Sequence, residues 1–412
     1  MTHHHDKNHE TGIRGQKNFI IAGLTSGHGV FHWFTQSFFV LLPEVEQAFG
    51  LSKVGVGAIT TTREIASGII TLPGGIIADS LKKHWGLILA LCMGFFGIGW
   101  LIIGQAPVFP LLLVGVAIIA IAASLWHLPA MASLSHHFSH RRGTALSFHG
   151  IGGNIGDAIS PVVTGFLLGY LAWREILSIY AVVPIFIAFL VFWAFRNIGK
   201  TNEHKDSGDK ISQKEQTRKA LKNPALWAIT FIGGIRGMAF IALMTFLPSY
   251  FSSDLEMSDL ARGAHFGLLV AIGIISTPIM GYLSDKIGRK RILVPGMIFL
   301  SIIVILMSFF GEGITLILLI ALLGTFFYSD QPILTASALD IVGEGVATTT
   351  LGTLSFSRFI LSAISPLIAG FLYDSFSMNY VFYYVAFLMI IGAILLYFVP
   401  LKNPHHEATH HH

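Results

Sequence analysis

Twelve apolar segments, each long enough to cross a lipid bilayer, decide what this chain can become. They fall at roughly 19 to 42, 54 to 78, 87 to 106, 108 to 133, 144 to 169, 174 to 196, 224 to 250, 264 to 284, 292 to 311, 314 to 338, 346 to 372 and 380 to 400. A helix rises about 1.5 Å per residue, so about 20 residues span a hydrocarbon core about 30 Å thick. In lipid a backbone must satisfy its own hydrogen bonds, and segments of this length do so as helices. The expected fold class is an all-α membrane protein with twelve transmembrane helices. Composition agrees: 53% hydrophobic residues, 12% charged, 33 Phe and a mean hydropathy of +0.69 exclude a soluble globule.

The polar N-terminus MTHHHDKNHETGIRGQKN is followed by an apolar run without a cleavage site of small residues, so that run is expected to be retained. Cys92 is the one cysteine and lies in an apolar run, which excludes an internal disulfide framework. A pI near 9.1 comes from basic residues in short loops, so topology explains it better than nucleic acid does. An even number of spans puts both termini on one side, which also holds Lys82, Lys83, Arg141, Arg142, Lys286 and the cluster Arg289, Lys290, Arg291. The opposite side holds Lys53, Arg174 and Arg262. By the positive-inside rule both termini are expected in the cytoplasm, with the chain multi-pass in the plasma (inner) membrane.

Residues 197–223, rich in Lys, Glu, Asp, Ser and Gln, read as a cytoplasmic linker between a first half, 1–196, and a second, 224–412. The halves are related. AISPVVTGFL at 158 to 167 matches AISPLIAGFL at 363 to 372, GGIIADSLKK at 74 to 83 matches MGYLSDKIGR at 280 to 289, and WHLPA at 126 to 130 lines up with SDQPI at 329 to 333. One nearly constant offset argues for a duplicated six-span unit, and parallel repeats of this kind occur in alternating-access transporters.

The stretch GYLSDKIGRKR, from Gly281 through Asp285, Gly288 and Arg289 to Arg291, resembles the loop signature of the major facilitator superfamily. Its first-half copy keeps Gly75, Asp79 and Lys83. The resemblance implies the major facilitator fold, two pseudo-symmetric six-helix bundles. It also implies a cytoplasmic gating latch built from Asp79, Lys83, Asp285 and Arg289, with Arg289 paired to a carboxylate of a neighbouring span. GDAISPVVTG, 156 to 165, is similar to the fifth-span antiporter motif of drug exporters, and close packing of helices by small residues accounts for it equally well. The first half is most similar to the fosmidomycin-resistance branch of exporters, through His28, His127 and GGNIGDAISP at 152 to 161. It departs from that branch at His32, where the branch pattern carries an acid, and at Leu128 and Pro129, where it carries a Pro-Glu pair.

The superfamily resemblance places spans one, four, seven and ten around a central cavity. It thereby nominates His28, His32, Gln36, Trp126, His127, Arg236, Tyr328, Asp330 and Gln331 as substrate-binding. The residues support this independently. His28, His32 and Gln36 are four apart, one stripe of a helix, and intramembrane polar groups of this kind mark function. Arg236 lies mid-span, where an isolated arginine costs on the order of 3 kcal/mol, so it must meet an anion, from the protein or from a solute. Arg63 and Arg358 are further intramembrane charges. Proton coupling needs a titratable group between the faces, and Glu64, Asp157 and His149 are the candidates, with the histidines titrating near neutrality in water.

The expected activity is secondary transport of a small, anionic organic solute by alternating access, as proton-coupled efflux. Uptake of an organic acid or oxyanion is the alternative, and after it a divalent metal or metal complex. His28 and His32 have ligand spacing and the tails carry His3, His4, His5, His9, His405, His406 and His410 to His412, but the spans hold no second His pair, so no metal site is assigned. No Gly-Lys-Ser/Thr loop suggests an ATP-driven pump, and no enzyme, cofactor or nucleic-acid role is expected. Partners are the bilayer, the solute and protons, with the chain acting as a monomer.

Overall fold

The computed structural model describes residues 13–138, 141–199, 218–219, 222–342 and 347–401. The terminal histidines and most of the linker lie outside these, as do the side chains of Asp79 and Arg142. The described chain is helical: α1 Lys17–Phe49, α2 Lys53–Ser80, α3 Trp85–Gln105, α4 Phe109–His137, α5 Arg142–Leu168, α6 Trp173–Phe195, α7 Pro224–Ser249, α8 Asp259–Ile287, α9 Arg289–Phe310, α10 Gly313–Phe327, α11 Asp330–Val342, α12 Ala347–Ser362, α13 Ser365–Ser375 and α14 Met378–Phe398. Ten spans qualify as membrane helices by length and hydropathy. The remaining two, α1 and α2, have 33 and 28 residues, ample to cross, but α1 carries the polar stripe His28, His32, Gln36 and α2 the polar run from Thr60 to Glu64. Large apolar side chains such as Ile76, Phe189 and Phe398 point outward, a surface that suits lipid and not water.

Two of the twelve expected segments are broken helices. Segment ten stops at Phe327 and restarts at Asp330, and segment eleven stops at Ser362 and restarts at Ser365. A break in lipid frees carbonyls that need donors. Arg236 Nη2 donates to Phe327 O at 2.6 Å, and Thr61 Oγ1 to Ala363 O at 2.6 Å. The corresponding sequence in the first half, around Pro161, stays one continuous helix, so the duplication is not conformationally symmetric.

Contacts between the halves concentrate from mid-membrane to the end away from the termini, called here the far end. Arg262 Nη2 donates to Glu44 Oε1 at 2.6 Å, and Ser249 Oγ to Glu46 Oε2 at 3.1 Å. Asp374 of α13 accepts from the backbone of Lys53 and Val54 at 2.8 and 3.0 Å, so a second-half carboxylate caps the N-terminus of α2, where orphan N–H groups and the helix dipole favour an anion. Backbones also meet there: a Cβ on Gly165 would strike Asp259 O, and one on Gly263 would strike Pro161 O. Deeper in, Thr245 donates to Thr60 at 3.1 Å and Ser362 to Glu64 Oε2 at 2.9 Å. Among the described residues, no ion pair joins the halves at the near end.

Candidate functional site

The stripe of α1 faces α4 and α5 and gathers four imidazoles. His28 and His149 stack with centroids 4.1 Å apart, His28 and His32 meet edge-on at 4.4 Å, and His28 and His127 at 4.9 Å. Each α1 histidine is oriented by α5: His28 Nδ1 donates to His149 O at 2.8 Å, and His32 Nδ1 to Asp157 Oδ2 at 2.8 Å. His127 Nδ1 donates to Ala123 O, one turn back in α4, at 2.6 Å. Trp126 and Phe31 form the wall behind the cluster. The His32 side chain keeps 35% of its surface accessible and that of Asp157 13%. Asp157 Oδ1, Trp126 Nε1, Gln36 Oε1 and both ring nitrogens of His149 are buried without a hydrogen-bond partner in ordinary geometry, a concentration of unmet polarity that suits a wet or solute-filled site.

Arginines come from both halves, Arg63 from the first and Arg236 and Arg358 from the second. Arg236 on α7 is 3% exposed, and its Nε and Nη2 both reach Asp330 Oδ1 at 2.7 Å, with its guanidinium over Phe240. Asp330 sits in the first turn of α11, a position the break creates and the helix dipole favours for an anion. Of the two anions the sequence left open for Arg236, the structure supplies the protein carboxylate. Arg63 lies 3.8 Å from Glu64 and over the Phe39 ring. Arg358 stacks on Phe359 and lies within electrostatic reach of Glu64, Arg236 and Arg63. Three arginines thus gather with the carboxylates Glu64 and Asp330 at the interface of the halves, near the His32 and Asp157 pair. Tyr328, at the break, lies beside Gln36 of the first half and donates weakly to Met244 Sδ, while Gln331 Oε1 is buried without a partner.

The loop signature forms the turn between α8 and α9. Gly288 adopts φ +107, a conformation that favours glycine, and the chain turns there from α8 into α9. Arg289 pairs with Asp285 one turn earlier and, at 3.1 Å, with Asp340 at the end of α11. All of these residues belong to the second half. Lys83 is exposed in the turn Lys82–His84.

Asp157 on α5 joins His32 on α1, a pairing between helices. What the sequence left unassigned was the far-end set: Glu44, Glu46, Arg262 and Asp374. Arg262 was visible as one of the few basic residues on the cation-poor side, and a cation there calls for a local acid. Its side chain is 1% exposed between Glu44 and Asp259.

A sequence model of the Major Facilitator Superfamily matches residues 24–366 and, in a second overlapping match, 270–411. The chain is 23% identical over 408 residues to the glycerol-3-phosphate transporter of Bacillus subtilis (strain 168), covering 92% of this chain and 89% of that one. It is 22% identical over 398 residues to the fosmidomycin resistance protein of Escherichia coli (strain K12), covering 93% and 94%. A bacterial homolog of the human lysosomal transporter Spinster, solved inward-facing and occupied, superposes with a TM-score of 0.78 at 14% identity, covering 94% of this chain and 97% of that one. The chain belongs to the Major Facilitator Superfamily, is an all-α multi-pass membrane transporter of small molecules, and is not an enzyme.

Proposed function

We propose that this Major Facilitator Superfamily transporter exports a small anionic organic solute in exchange for protons, as a monomer in the plasma membrane with both termini in the cytoplasm. The observation that carries the anion is the set of three arginines where the halves meet, Arg63, Arg236 and Arg358, of which Arg358 has no carboxylate within ion-pair distance among the described residues. A buried unpaired cation is costly, and an anionic solute would relieve it with charge-assisted hydrogen bonds. Arg236 is held by Asp330, so first contact falls to Arg358 and Arg63, with Arg236 behind them. Gln36, Tyr328, Gln331, Trp126 and the histidines supply the polar wall. A relative that carries glycerol-3-phosphate, an anion, and another named for drug resistance support the charge and the outward direction respectively.

Protons would move through the partly exposed His32 and Asp157 pair, with His149 stacked behind His28 and Glu64 bonded across the halves to Ser362 as the second titratable point. With the near end in the cytoplasm, the far-end bonds make this the inward-facing state, ready to load a solute for export. Asp79, Lys83, Asp285 and Arg289 would steady the opposite state from the cytoplasmic side.

The test is a proteoliposome assay with a pH-sensitive dye inside, at a fixed proton gradient, using glycerol-3-phosphate, phosphonates, carboxylates and neutral polyols. Proton movement is expected with anions and lost in Arg358→Gln. Movement with the neutral polyols alone would end the anion reading.

A further inference from the structure

We propose that His28, His32 and His127 form a binding site for one divalent late transition ion such as Zn2+, Co2+ or Ni2+. This goes beyond the anion reading and does not depend on it. One ligand atom from each of the three rings lies within 4.8 Å of the other two. A tetrahedral zinc site, with Zn–N about 2.0–2.1 Å, needs nitrogens about 3.4 Å apart, so the rings close the site by moving less than about 1 Å each.

The second argument is the tautomers. A metal-binding imidazole presents one nitrogen as a lone pair while its other nitrogen donates a proton to an oxygen that fixes the ring. All three rings are held this way. His28 Nδ1 donates to the His149 carbonyl, His127 Nδ1 to the Ala123 carbonyl, and His32 Nδ1 to the Asp157 carboxylate. Each ring is thereby left with its lone pair on Nε2. The His32 and Asp157 contact is the carboxylate–histidine arrangement that raises ligand basicity, which makes Asp157 a positioning residue for the ion. Neutral imidazoles suit the late transition ions over Mg2+ or Ca2+, and three of them leave a coordination position for water or an anionic oxygen.

The spacing in α1 alone supplies two ligands. The third comes from α4, and its orientation from a carbonyl of its own helix, which is why the span sequences taken singly hide the set.

The test uses the full chain with the nine tail histidines (His3, His4, His5, His9, His405, His406, His410, His411 and His412) changed to glutamine, since these would otherwise bind metal themselves. Titrating Co2+ into the purified protein is expected to give visible d–d absorption of tetrahedral type, saturating at one ion per chain and bleached by Zn2+. The same ion should raise the thermal midpoint of this protein, because a ligand that binds only the folded state stabilises it. His127→Gln and His32→Gln should abolish the band. Asp157→Asn should keep it while weakening affinity about 10- to 100-fold, as loss of an orienting carboxylate does. His265→Gln, in α8 of the other half, should change nothing. Failure of the tail-substituted protein to show a stoichiometric band and a thermal shift would overturn the site without any cluster variant having to fold. So would a band that survives both His32→Gln and His127→Gln.

Discussion

Glu44→Gln should open the far end of this transporter. The carboxylate of Glu44 accepts from Arg262 Nη2 at 2.6 Å across the halves, and Arg262 is 1% exposed. Arg262 also reaches Asp259 within its own half at 3.1 Å, so the substitution does not leave the guanidinium without a counter-charge. What disappears is the charge assistance of this bond, one of several that join the halves. Hydrogen bonds to charged groups contribute about 1.5–3 kcal/mol and neutral ones about 0.5–1.5, so the state closed at the far end loses on the order of 1–1.5 kcal/mol. Since about 1.4 kcal/mol is tenfold in an equilibrium, the population open at the far end should rise roughly five- to tenfold. Spin labels or fluorophores placed on the far-end loops after α1 and α7 report the distance distribution directly. Arg289→Gln, whose partners Asp285, Asp340 and Ser284 all lie in the second half, serves as the comparison and should not raise the far-end-open fraction. An unchanged distribution in Glu44→Gln, or an equal rise in both variants, would refute the assignment of this pair as the gate.

Three further outcomes follow from the geometry. Asp330→Asn leaves Arg236 buried without its carboxylate and should destabilise the protein by about 3–5 kcal/mol in denaturant unfolding, whereas the paired change Arg236→Met with Asp330→Leu should cost less than either single change; a loss below about 1 kcal/mol for Asp330→Asn would contradict the buried pair. Gly263→Ala places a Cβ against Pro161 O where α5 and α8 touch, so it should spread the far end and raise labelling of a cysteine introduced there. Asp157→Asn should abolish solute-driven proton movement in proteoliposomes while leaving solute counterflow measurable; retained proton movement would remove Asp157 from the coupling path.

The twelve spans were legible because bilayer thickness imposes a length and a composition on every crossing, and no tertiary contact can cancel that requirement. The loop signature was legible for a similar reason: Gly288 needs its φ of +107 and Arg289 needs its nearby acids, Asp285 and Asp340, whatever surrounds them. The stripe on α1 was legible as one face of a helix, since period 3.6 fixes which residues align. Its partners were less visible. Asp157 could be placed on a face of α5, but period alone cannot say whether it binds along its own helix to His149 or across to His32. Only the crossing of α1 and α5, set by the small residues Gly152 and Gly156 meeting Thr25 and Gly29, decides that.

The same limit governs the arginines. The sequence required an anion for Arg236 and could not choose between a solute and Asp330, because the choice depends on a helix break at Tyr328 and Ser329 that no proline or glycine marks at those two positions. The break turns Asp330 into a first-turn residue and frees the Phe327 carbonyl, and one guanidinium satisfies both. A neutral side chain at 236 would leave an orphan carbonyl and an uncompensated carboxylate within one turn of each other. The pair and the break therefore stabilise each other, and with Arg236 occupied in this way, the guanidiniums that an anion could answer are Arg63 and Arg358, which flank Glu64 where the two halves must part.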